Sequence, residues 1–154
     1  MRIWVDADAC PNAIRDILVR AAERTQTQMT LVAGKPMQAP RSRFVTAATV
    51  STGIDAADDA IVDRLEPGDL VVTADIPLAA RVVAKGGAAL NPRGDFYTEE
   101  NIRERLAMRD LMATLRDSGA VSGGPPPLDA SDRQTFANAL DRFLAKQQRA
   151  QQQQ

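Results

Sequence analysis

The residues best suited to chemistry in this 154-residue chain are its aspartates. Asp6 and Asp8 follow a short apolar run in VDAD, Asp55, Asp58 and Asp59 cluster in DAADDA, Asp75 ends DLVVTAD, and Asp95 follows NPRG. Carboxylates gathered at one place repel and raise one another's pKa. A hard divalent cation removes that cost, so the pattern points to Mg²⁺ or Mn²⁺. The chain has no histidine, which excludes Ser-His-Asp and Cys-His catalysis, histidine zinc ligands and imidazole acid–base chemistry. Aspartate outnumbers glutamate 15 to 5, and carboxylates must carry most of any chemistry.

Some of these acids have structural explanations. Asp8 can cap the first helix, Asp55 can cap the next, and Asp69 follows the turn Pro67-Gly68. Asp6 and Asp75 resist that reading, because each ends an apolar strand where a carboxylate is costly unless paired or metal-bound. Lys35, Arg41 and Arg43 lie in a stretch from Gln26 to Ile54 without acids, which makes either a phosphate-touching loop or a solvated one. Arg93 in NPRGD either clamps a phosphate or sits in a turn shaped by its Pro and Gly neighbours. Thr73 either bonds a metal-bound water or fills the sheet. Cys10 is one residue short of the Cys-x5-Arg spacing to Arg15 and reads as small buried packing rather than a nucleophile.

The elements that must position these groups alternate in type. Arg2 to Val5, 29–33, 44–50, 69–75 and the AAL of 88–90 read as strands. Helical spacing appears from Pro11 to about Arg24, from Asp55 to Glu66, in PLAARVVAKGG, from Glu99 to Ser118 behind a Thr98 cap, and after the capping box Ser131-x-x-Gln134. In the fourth of these, Ile102, Leu106, Leu111 and Leu115 are expected inward. The pattern predicts a three-layer α/β/α fold with a mostly parallel five-stranded sheet, and ligands in such folds bind beyond the carboxyl ends of the strands. Four connections would then aim carboxylates at one rim.

Length and a 44% hydrophobic content fit one domain over residues 1–146, with 147–154 a disordered Gln-rich tail. The N-terminal MRIWVDADAC lacks a signal peptide's apolar stretch, a lone cysteine permits no internal disulfide, and no segment reaches the ~20 apolar residues of a membrane span. A cytoplasmic protein is expected. The net charge of −1 gives no overall attraction to nucleic acid, so any such contact needs a local basic patch.

Several segments together carry a resemblance: DADACP (6–11), DAADDAIV (55–62), TADIPLA (73–79), NPRG (91–94) followed by YT, RDLMATLRDSG (109–119) and GGP (123–125). The chain resembles the YaiI/YqxD family of uncharacterised bacterial proteins over nearly its whole length. That family is regarded as PIN-like, which implies a compact nuclease-type fold with a carboxylate-bound divalent metal. Carried over by position, the resemblance implies metal-binding and catalytic roles for Asp6, Asp58 and Asp75, with Asp8 a fourth ligand. It favours Asp58 over Asp59, and it implies a polar Asn where this chain has Gly34.

The implied activity is metal-assisted phosphodiester hydrolysis, with RNA the substrate by resemblance alone. Two other readings stand beside it. Asp6-x-Asp8 with Thr73 and Lys85 in order matches a haloacid-dehalogenase-type phosphatase, although the late acidic pair is missing because Asp58-Asp59 precedes the threonine. Alternatively, a PIN-like surface binds nucleic acid or a partner without turnover.

Overall fold

A computed structural model of the chain describes residues 1–50, 53, 55–124 and 126–152. Ile54 of the acid-free stretch, Pro125 of the GGP segment and the last two glutamines lie outside the described residues.

Among the described residues six strands form one sheet: β1 (Ile3–Asp6), β2 (Met29–Ala33), β3 (Val45–Thr49), β4 (Leu70–Val72), β5 (Ala88–Leu90) and β6 (Phe96–Tyr97). Their order is β3-β2-β1-β4-β5-β6, parallel throughout except for β6, which runs antiparallel to β5. Among the described residues five α-helices accompany them: α1 (Asn12–Thr25), α2 (Ala56–Arg64), α3 (Ile76–Ala84), α4 (Ile102–Asp117) and α5 (Ala130–Gln152).

Alternation along the strands sends side chains to two cores. Ile3, Val5, Leu70, Val72 and Leu90 meet Ile14 and Leu18 of α1 and Phe136 and Leu140 of α5. Trp4, Val71 and Ala89 meet Ile61 of α2 and Leu78 and Val82 of α3. The result is the expected three-layer α/β/α arrangement, with a central β1 and β4 covered on both faces.

The sheet has six strands rather than the expected five. A two-residue strand leaves no periodic signal, and β6 exists because NPRG closes a hairpin. Asn91 Oδ1 accepts from the amides of Arg93 and Asp95, at 3.0 and 2.9 Å. Gly94 sits at φ +94°, and a Cβ there would meet the Thr135 backbone at 2.8 Å, so the turn requires glycine on both counts.

Helix α4 also departs from expectation. No α4 residue is fully buried, and Leu111, expected inward, is 51% exposed. The helix packs outside α3 rather than on the sheet, so only part of its apolar stripe is covered. Its start agrees better: Thr98 Oγ1 accepts from the Asn101 amide, and Asn101 Oδ1 accepts from the Thr98 amide.

The last helix is boxed two residues earlier than expected, by Asp129 and Asp132, each accepting from the other's amide at 2.8 and 3.1 Å. It continues through Gln152, where a tail from residue 147 is expected. Glutamine is a good helix former, and Gln148 Nε2 donates to the Thr25 carbonyl. Among the described residues no helix is long and apolar enough to cross a membrane.

Candidate active site

The register of β1 against β4 builds the centre of the site. Val5 pairs with Val72, so the next residues, Asp6 and Thr73, lie side by side where the two strands end. Both are buried, and the Thr73 hydroxyl donates to Asp6 Oδ2 at 3.0 Å. The same Thr73 oxygen accepts from the Asp75 amide at 3.0 Å and turns the chain from β4 into α3. Thr73 therefore orients two aspartates and is already occupied by both.

Asp75 has a structural role that its position after an apolar run does not reveal. Its Oδ1 accepts from the Leu78 amide at 3.0 Å, which makes it the N-cap of α3, with Pro77 in the first turn. Asp8 and Asp55 do the reverse. Pro11 occupies the N-cap position of α1, and Asp8 Oδ2 instead accepts from the Gly34 amide at 2.7 Å. Gly34 thus contacts the site through its backbone, and a Cβ at that position would stand 3.3 Å from the carboxylate. Asp55 occupies the N-cap position of α2 at φ +63° without a side-chain capping bond.

A cleft of about 780 Å³ opens beyond the carboxyl ends of the central strands. Asp6, Asp8, Asp55, Asp58 and Asp75 line it, with Lys35 and Arg15 as its cations. Asp58 enters from the first turn of α2, while its neighbour Asp59 turns away to an exposed ion pair with Arg81 at 2.9 Å. The carboxylates feel one another. Burial first, then the charges of Asp75 and Asp6, push the Asp58 carboxyl up to about 7. Burial also raises Asp6, against the lowering effect of the Thr73 hydrogen bond, and Asp75 and Asp8 add to the rise.

The donor chemistry of this cleft fits a hard cation, because it offers carboxylate oxygens whose mutual repulsion a divalent ion would offset. Among the described residues, however, no three acidic or cysteine side chains surround one point at which they could hold a metal ion. The fit is therefore to an ion taking one or two carboxylates and filling its remaining positions with water, as Mg²⁺ commonly does.

The other expected contacts are distributed differently. Arg41 and Arg43 are exposed on the loop before β3 and are not among the residues lining the cleft. Arg93 lies away from it: its guanidinium donates to Asp132 at 2.9 Å and to the Pro126 carbonyl, tying the β5–β6 hairpin to the start of α5. Lys85, at the far end of α3 from Asp75, donates to the Val62 carbonyl and leaves Asp6 without the lysine that a dehalogenase-type phosphatase requires. Cys10 is buried, and burial pushes its thiol up to about 11, which leaves no reactive thiolate near neutral pH.

Arg15, weighed in the sequence only for its spacing from Cys10, is a residue of the cleft that the sequence reading did not place there. One turn into α1, it donates from Nη2 to the Ala7 carbonyl at 3.2 Å, while its buried Nε has no partner among the described residues. Its spacing from the strand end, one turn beyond Pro11, is a signal common to many helices that follow a strand.

Comparison with known proteins agrees over nearly the full length. The chain is 63% identical to a UPF0178 protein of Pectobacterium carotovorum subsp. carotovorum (strain PC1) over 144 residues, 94% of this chain and 96% of that one. It is 60% identical to a UPF0178 protein of Hahella chejuensis over 146 residues (95% and 97%), and 60% identical to one of Klebsiella pneumoniae subsp. pneumoniae over 151 residues (98% and 99%). No solved structure matches the chain. The model of the uncharacterised YaiI/YqxD family matches residues 4–146, and the chain belongs to that family.

Proposed function

We propose that the aspartate cleft is the active site of a divalent-metal-dependent, PIN-like nuclease acting on RNA in the cytoplasm, formed by one domain over residues 1–146. One observation carries this reading: Asp6, Asp58 and Asp75, from three separate elements, share a cleft in which burial first, and then the charges of Asp75 and Asp6, raise the Asp58 carboxyl to about 7. Charges held together against their own repulsion are a cost to the fold, and such clusters mark functional sites more often than structural ones.

Asp6, Asp58 and Asp75, with Asp8 beside them, are the carboxylates of which one or two would hold Mg²⁺ or Mn²⁺, water filling the ion's other positions. The ion, when bound, supplies charge stabilisation at the phosphate and an acidified water. The chain's own groups do the rest. Thr73 fixes the Asp6 carboxylate through its hydroxyl and the start of α3 through the Asp75 amide. Lys35 and Arg15 place positive charge on the cleft wall, where a phosphodiester would need it. A carboxylate of the cluster that the ion leaves free would provide a site for a proton taken from water.

The test is incubation of purified protein with single-stranded RNA and Mn²⁺. Cleavage is expected for the parent and loss of cleavage for Asp6→Asn and Asp75→Asn. Equal cleavage by the variants would identify a contaminant. RNA binding that persists unchanged in EDTA, with no cleavage on adding Mn²⁺, would replace the nuclease by a nucleic-acid-binding domain.

A further inference from the structure

A second cavity, of about 550 Å³, lies on the β5–β6 side of the sheet. Its wall includes Gly86, Gly87 and Ala88 where the chain enters β5, and Tyr97 and Thr98 where it leaves β6. Because β6 is antiparallel to β5, with Ala89 opposite Tyr97, these groups converge at the amino end of β5. The aspartates lie beyond the carboxyl ends of β1 and β4, so neither cavity is a subsite of the other.

Ala139, Arg142, Phe143 and Lys146 close the cavity from α5. Their spacing of three, four and seven residues puts them in one stripe. The stripe is chemically divided. Phe143 meets Phe96 of β6 with ring centroids 5.8 Å apart and planes tilted by 33°, and both rings are only half-buried. Arg142 and Lys146 are exposed at the rim, four residues apart, so two like charges share one helix face. Glu99 is the acid among the lining residues. An apolar, aromatic-walled space of this size, with a pair of cations at its mouth, matches the volume and lining of small-molecule sites.

We infer that this cavity binds a small aromatic anion, its ring against Phe96 and Phe143 and its acidic group between Arg142 and Lys146. The ring buries the exposed parts of two phenylalanines in an offset or edge-on contact. The anionic group relieves the repulsion between the two cations and gains charge-assisted hydrogen bonds. A neutral aromatic lacks the second contribution, and an inorganic anion lacks the first, so the site discriminates against both.

The probe for the test is 8-anilinonaphthalene-1-sulfonate, an aromatic sulfonate whose emission rises in apolar surroundings, titrated into the full chain and checked for one-to-one stoichiometry by calorimetry. The variant pair Arg142→Glu/Lys146→Glu lies on the surface of α5 and is expected to weaken binding roughly tenfold or more. Ala88→Leu places a larger side chain in the cavity and is expected to remove the emission change while far-UV circular dichroism stays that of the parent. N-phenyl-1-naphthylamine, the uncharged ring system, is expected to bind at least about fivefold more weakly, and sulfate alone not to compete. Lys35→Glu, in the aspartate cleft, is expected to leave the probe's affinity within about twofold. Parent-like affinity in the charge variant and in Ala88→Leu, several probes bound per chain, or an equal loss in Lys35→Glu would each overturn the assignment.

Discussion

Two ends of one strand use the same residue in opposite ways. Asp69 immediately precedes β4, and Asp75 follows it closely. Asp69 is buried and fully engaged by nitrogen donors: Oδ1 accepts from the Arg2 amide at 3.0 Å, and Oδ2 accepts from the Trp4 indole at 3.1 Å and the Glu66 amide at 3.0 Å. It joins β1, β4 and the end of α2. At the other end, Asp75 accepts from Leu78 but faces Asp6 and Asp58, and each of those carboxyls is raised first by burial and then further by the charges of its acidic neighbours. A buried carboxylate surrounded by donors stabilises a fold, whereas carboxylates facing one another strain it. The difference separates a structural acid from a candidate catalytic one more sharply than burial alone.

The largest expected effect tests the structural end. Asp69→Ala leaves three donors without an acceptor and should cost about 3–5 kcal/mol in urea denaturation, followed by the emission of Trp4, the only tryptophan. A loss below about 1 kcal/mol would show that water replaces the carboxylate and would erase the contrast.

Asp75 combines both uses, and two substitutions divide them. Asp75→Ala removes the cap and should cost about 1 kcal/mol, whereas Asp75→Asn keeps an N-cap acceptor and should stay within about 0.5 kcal/mol of the parent. Both should lose Mn²⁺-dependent cleavage alike. Retained cleavage in the Asn variant would reduce Asp75 to a cap.

Asp58 should show the cost of the cleft directly. Its folded-state carboxyl titrates near 7 against an ordinary 3.8, so the folded state holds the extra proton between those values. The stability linked to this group is therefore full below about pH 4, falls as the pH rises through that window, and stays lost above it. In metal-free buffer, Asp58→Asn should be more stable than the parent by about 1 kcal/mol at pH 8, after allowance for solvent at this half-buried site, with the gain gone by about pH 4. An equal gain at both pH values would assign the effect to helix propensity rather than to charge.

The smallest effect is expected next door. Asp59→Asn breaks only the exposed pair with Arg81 and should change stability by less than about 0.5 kcal/mol, independent of Mn²⁺. A Mn²⁺-dependent change would bring Asp59 into the site and remove the distinction between neighbours.

Much of the fold was legible because its signals are local. The run before Asp6, the LVV of β4 and the stripes of α1, α3 and α5 each carry a period that packing then uses. The failures have physical causes. β6 is two residues long, α4 carries an apolar stripe that only α3 partly covers, and Asp132 rather than Gln134 completes the box at α5 because Asp129 is the partner in reach. In the site, Asp6, Asp8, Asp58, Asp75 and Lys35 do share one cleft, while Arg93 does not, since Asp132 and the Pro126 carbonyl hold its guanidinium. That pairing spans 39 residues and leaves no trace in local spacing.

By itself, the sequence determined most of the elements, though not β6, as well as which acids end the central strands and the family to which the chain belongs, because periodicity, apolar runs and motif order are properties of neighbouring residues. Only the tertiary structure decided what each carboxylate faces. Asp69 meets three donors, Asp59 meets Arg81, Asp8 meets the Gly34 amide, and Asp58 meets other acids. The physical reason is that a carboxylate's energy depends on the charges and donors within a few ångströms, and those are brought there by strand register and helix placement rather than by position along the chain.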